Sequence, residues 1–176
     1  MAYNVTDLID KAIKVSIRRK KIYEGIGRER CDLPSLDIMV NVLSREIDKT
    51  IEYYEELKNE IREVDLEEID FYVYDKMSFL IDEFNKKIYV TEIHNIKEFM
   101  KFSLDAEKDG KSLLIDVQGR FVKNTSDTHT KTYEILSKMI NNKAIKIELL
   151  EKILRWKTAM MLGYSCFFLC GKIVLY

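Results

Sequence analysis

The chain has one proline, six glycines, three cysteines and two histidines in 176 residues, and each scarcity closes off a class of protein. So little glycine and proline excludes collagen-like and low-complexity disordered chains and leaves long helices uninterrupted. Three cysteines are too few for a disulfide framework. With no secretory pattern in the polar residues 1–7, the expected compartment is the reducing cytoplasm. An excess of one charge is missing as well. Lys and Arg number 29 against 30 Asp and Glu, a net charge of -1, so no overall field draws the chain to nucleic acid. A phosphate-binding glycine loop is absent too, since Gly25-Ile26-Gly27 falls at the end of a helical pattern rather than between a strand and a helix. The histidines and cysteines show no zinc-site spacing. What the chain does have is 47% hydrophobic and 34% charged residues, enough for about one domain with a sizeable core.

The charge is distributed unevenly. Arg155, Lys157 and Lys172 are the only charged residues after Leu154, which divides the chain into a body, residues 1–154, and an apolar C-terminal extension, residues 155–176. Within the body, four segments place apolar residues at alternating spacings of three and four, the pattern of helices packed in a bundle. The first follows Val5, Leu8, Ala12, Val15, Arg19, Ile22 and Ile26. Thr6 is its expected N-cap and Gly25 and Gly27 its stop signals, and only Arg19 breaks the apolar stripe. The second opens at Pro34 and runs through Leu36, Val40, Leu43, Ile47, Thr50, Tyr54, Leu57 and Ile61 without a charge. The third opens with Asn95 and Glu98 in capping-box spacing and runs through Ile96, Met100, Ser103, Glu107, Gly110, Leu114, Val117 and Phe121, with Glu107 on the inward seam. The fourth follows the cap-rich residues 124–128 and runs through Tyr133, Leu136, Ile140, Lys143, Ile147, Leu150 and Leu154, with Lys143 inward. Short links make each consecutive pair an antiparallel hairpin, whereas residues 62–94 form a long crossover in which residues 75–87 suit a short helix.

The segments LSREIDKTIEYYEEL, FMKFSLDAEKDGKSLL and LSKMINNKAIKIELLEKIL of helices two, three and four resemble the ferritin-like superfamily, and the rubrerythrin branch in particular, over residues 6–154. The resemblance implies an all-α, antiparallel four-helix bundle of two hairpins joined by a long crossover. In that family, helices one and three each supply an inward Glu and helices two and four each supply a Glu-x-x-His pair, together holding two irons. Such ligands satisfy iron and leave positions open for oxygen or peroxide. Carried onto this sequence, the helix-three Glu is kept as Glu107. The helix-one position is Arg19, the helix-two pair is Ile47 and Thr50, and the helix-four pair is Lys143 and Lys146.

A lone carboxylate in an apolar seam costs several kcal/mol unless it is paired or protonated. The expectation is therefore a buried ion cluster of Arg19, Glu107 and Lys143, with Lys146 at its margin, no catalytic residue and no metal. The competing arrangement has Arg19 and Lys143 snorkel outward along the bundle. The first functional expectation is a non-enzymatic structural or interaction module. The alternatives are a rubrerythrin-like, iron-dependent oxidoreductase with a remodelled site on Glu107 and Glu46, and a membrane-associated bundle. His94 and His129, at helix ends, read as solvated or capping residues, and Glu55-Glu56 and Glu67-Glu68 read as solvated.

The extension RWKTAMMLGYSCFFLCGKIVLY has no charge over residues 158–171. It is expected to form a fifth helix that packs on the bundle or on a second copy, giving a homodimer with Trp156, Cys166, Phe167, Phe168 and Cys170 at the interface. The other readings are a disordered end and a membrane contact with Arg155, Trp156 and Lys157 at headgroup level. The run is shorter than the roughly 20 apolar residues of a spanning helix. Cys166 and Cys170 lie one helical turn apart and read as small apolar interface residues.

Overall fold

The computed structural model describes residues 3–30, 32–88 and 92–161, with the backbone alone for residues 156–161. Among them every regular element is a helix: α1 (Val5–Glu29), α2 (Pro34–Glu60), α3 (Phe71–Lys87), α4 (Ile96–Gly119), a short 3-10 helix (Thr125–His129) and α5 (Lys131–Met161). The protein is all-α. Cys31, Cys166, Phe167, Phe168, Cys170 and the Trp156 side chain lie outside the described residues. Among the described residues, no helix is long and apolar enough to cross a membrane.

Local chemistry sets the helix ends. Asn4, rather than Thr6, caps α1: its side-chain oxygen accepts from the Thr6 N–H at 2.8 Å while Asp7 accepts from the Asn4 N–H at 2.9 Å. Asn-x-x-Asp thus forms the reciprocal box usually written with Ser and Glu. Gly25 and Gly27 do not stop the helix, which continues to Glu29. Gly27 is instead a crossing point, where an added Cβ would lie 3.1 Å from Val40 Cγ1. Pro34 opens α2 at the position where its missing N–H costs nothing. Asp70 caps α3, which begins four residues before the expected Asp75, because the cap turns the aromatic run Phe71 to Tyr74 into a first helical turn. Asn95 accepts from the N–H groups of Lys97 and Glu98, and so starts α4 as its spacing implied. α5 passes through Leu154 without a break.

Side-chain pairs give the topology. Gly27 meets Val40, Lys20 meets Asp48 and Asp10 meets Lys58, so α1 and α2 are antiparallel. Lys108 with Glu151, Glu107 with Lys143 and Gln118 with Ser137 make α4 and α5 antiparallel. Tyr23 against Phe99 and Arg19 against Glu107 set α4 antiparallel to α1. It follows that α2 and α4 run the same way. The link between them must climb the length of α2, about 40 Å at 1.5 Å per residue. Helix α3 makes that climb alongside α1, with Tyr74 stacked on Tyr3 and Asp82 near Lys11.

The interior is two apolar layers. One joins Leu8, Ile9 and Ile13 with Tyr54, Leu57, Met77, Leu136 and Met139. The other joins Tyr23, Ile26, Val40, Leu43 and Ile47 with Phe99, Met100, Leu104 and Leu150.

The crossover also fastens the start of α5. Glu67 accepts from the backbone N–H groups of Lys131 (2.9 Å) and Thr132 (3.3 Å) and from the Thr132 hydroxyl (3.1 Å). Partial burial pushes its carboxyl up, but these bonds outweigh it and hold the group below its ordinary value. Glu67 is exposed, as its solvated reading has it, and makes these bonds as well. Its sequence context hid them, because the helix it caps begins 64 residues later. Glu67→Ala is expected to cost about 1 kcal/mol, the usual value of an N-cap, and urea denaturation would measure it. A variant as stable as the parent would show that this contact contributes nothing.

Candidate functional site

Between the two layers, four helices each bring a polar side chain to one level. Arg19 comes from α1, Thr50 from α2, Glu107 from α4 and Lys143 from α5, and all are buried. Arg19 Nη2 lies 2.6 Å from Glu107 Oε1, and Lys143 Nζ lies 2.7 Å from Oε2. Each carboxylate oxygen is thus matched to one cation, and the three side chains are only 5%, 7% and 9% exposed. Three positions further along α5, Lys146 turns toward α2, donating to the Glu46 carbonyl at 3.0 Å and to the Thr50 hydroxyl. The guanidinium of Arg19 also lies 5.9 Å from the centre of the Tyr23 ring, within cation–π range.

The electrostatics follow from burial and pairing. Burial pushes the Glu107 carboxyl up, but Lys143 and Arg19 outweigh it and hold the group far below the ordinary carboxylate range. Burial opposes the charge on Arg19, and Glu107 more than restores it. Lys143 is lowered, because burial and the neighbouring Arg19 outweigh its contact with Glu107. Lys146 is pushed down to about 8, first by burial and then by Lys143 and Arg19, against the pull of Glu107. Burial raises Tyr54, next to the cluster, and Glu107 raises it further. The cluster holds three basic groups and one buried carboxylate.

Beside Arg19 and Lys143 lies a cavity of about 50 Å³. Leu8 and Ala12 of α1, Leu114 and Val117 of α4, and Leu136 and Met139 of α5 form part of its apolar wall. Ile81 and Phe84 of α3, with Ile88 just after it, close one side. Gly110, one turn after Glu107, leaves the space in front of Lys143: an added Cβ would lie 3.6 Å from Lys143 Cε and 3.8 Å from Phe84 Cζ. Arg19 Nε is buried without a hydrogen-bond partner among the described residues.

The structure brings Arg19, Glu107, Lys143 and Lys146 to one place, and the cations do not snorkel to solvent. Ile47 and Thr50 lie inward on α2, 2% and 0% exposed. Glu46 is directed away, its carboxylate 2.6 Å from Lys49. His94 and His129 are exposed at helix ends, His94 with its ring nitrogen 3.3 Å from Arg30. Among the described residues, no group of three or more His, Cys, Asp or Glu is placed to hold a metal ion. Sequence reasoning missed the cavity. Its one available signal was Gly110, a glycine on a helical seam, which often marks a packing requirement. No family model matches the sequence, and comparison with curated proteins and with solved structures finds no match.

Proposed function

We propose that this chain is a ferritin-like bundle whose metal centre has been exchanged for a charge cluster, and that it acts as a non-enzymatic structural or interaction module. One observation carries the reading: both oxygens of Glu107, the carboxylate retained at a ligand position, are taken by cations from α1 and α5. An ammonium and a guanidinium group at bonding distance already neutralise the carboxylate and would repel a metal cation brought beside it. The placement of α3 within a crossover between two antiparallel hairpins agrees with that bundle type.

The test is metal content after anaerobic purification, exposure to ferrous iron and desalting. Near-zero iron is expected. About one or two irons per chain, the occupancy of a single-iron or di-iron site, would overturn the proposal and direct work toward oxygen and peroxide chemistry.

A further inference from the structure

We propose that the cavity beside Arg19 and Lys143 binds a small aliphatic carboxylate, its head on the two basic groups and its chain among the apolar residues of α1, α4 and α5. The inference rests on the charge-filled centre described above. Three features of the site specify the ligand.

The first is charge. Arg19 and Lys143 share one buried carboxylate, and a buried excess of cations favours an anion that restores balance. The second is donor geometry. The Arg19 Nε–H is buried without a partner and Arg19 lines the cavity. The Lys143 ammonium has three N–H donors, of which Glu107 takes one, and its Nζ borders the space in front of Gly110. Two donors from different helices can therefore meet the two oxygens of one carboxylate. The third is the wall. Apart from Arg19 and Lys143, the lining includes Leu8, Leu114, Val117, Leu136 and Met139, and the Ser16 hydroxyl is engaged with the Ala12 carbonyl. A phosphate or sulfate would leave its remaining oxygens against hydrocarbon, at a desolvation cost that an alkyl chain avoids. A volume of about 50 Å³ is well under the 150 Å³ or so that holds benzene, so the ligand is smaller than benzene and its chain no longer than a methyl group.

Acetate is the probe, measured by thermal denaturation of the full chain, with sodium chloride at matched ionic strength and ethanol as controls. A ligand that binds only the folded state raises the melting temperature in a saturable way. Such a rise is expected with acetate and with neither control. The blocking variant is Gly110→Ala. Its added methyl meets only ordinary contacts at 3.6 Å and 3.8 Å and favours the helix, so the variant is expected to melt at or above the parent temperature and to lose the acetate response. If Gly110→Ala does not fold, Ala106→Met, on the preceding turn of the same wall, replaces it with the same expectation. No acetate effect beyond that of chloride, an equal effect of ethanol, or a response that survives the blocking variant would each overturn the proposal. These failures are separable from failure of the functional reading, which would show as bound iron.

Discussion

Replacing Glu107 with alanine is expected to cost the fold about 3–5 kcal/mol, the range for breaking a buried ion pair from one side. In a domain of this size that lowers the melting temperature by roughly 6–20 °C, at about 2–4 °C per kcal/mol. The carboxylate is the shared partner of Arg19 and Lys143, and no other acidic side chain forms an ion pair with either among the described residues. Its loss leaves two cations facing each other between apolar layers. A shift in the urea midpoint at unchanged slope would report a change in stability rather than in compactness. The control is Glu107→Leu combined with Arg19→Met and Lys143→Met, expected to recover most of the loss, since well-packed apolar residues often match a buried ion pair. An unchanged midpoint in Glu107→Ala would show that the cluster does not hold the bundle together.

Acid denaturation checks the same claim by its sign. The Glu107 carboxyl is held below the 4.5 of an ordinary glutamate. Its contribution is therefore fully present above about pH 4.5 and is lost as the pH falls toward the folded-state value. The parent protein is expected to lose stability steeply below pH 4.5, and Glu107→Ala to lose less over the same interval.

How much of this was legible in the sequence depends on how local each feature is. The seams of α1, α2 and α4 were readable because burial there follows the 3.6-residue period, so Arg19 and Glu107 declared themselves as charges on apolar stripes. Lys143 did the same on α5, even though burial there favours Ile135 and Met139 over the expected Tyr133 and Ile140. The Asn4 cap and the bonds of Glu67 to the start of α5 escaped the sequence for different reasons. The Asn4 box uses Asp where Glu is usual, and Glu67 caps a helix distant in sequence, which no local pattern encodes. The cavity depends on how α3 packs across three other helices, and only the glycine at position 110 hinted at it.

Lys146→Met is the second substitution with a large expected effect, and its direction is opposite. Burial and the neighbouring cations push Lys146 down to about 8 from the 10.5 of an ordinary lysine, so the unfolded chain holds this proton over a range in which the folded protein has released it. Stability must then rise with pH between about 8 and 10.5, with the full penalty present below pH 8. A displacement of that size is worth on the order of 3 kcal/mol at 1.36 kcal/mol per unit, and the partial exposure of the side chain reduces it to about 2 kcal/mol. Lys143, also lowered, contributes with the same sign. Tyr23 and Tyr54, raised by burial, act the other way above about pH 10, where their stabilisation begins to be lost, and they close the window from above. The substitution leaves no orphaned group on α2, because the Thr50 hydroxyl already donates to the Glu46 carbonyl at 2.9 Å. The variant is therefore expected to be more stable than the parent at pH 7 by about 1–2 kcal/mol, and to gain less between pH 7 and 9.5. Urea midpoints for both proteins at the two pH values decide it. A parent protein whose stability is flat across that interval, or a variant weaker at pH 7, would mean that Lys146 reaches solvent and is no part of the buried charge.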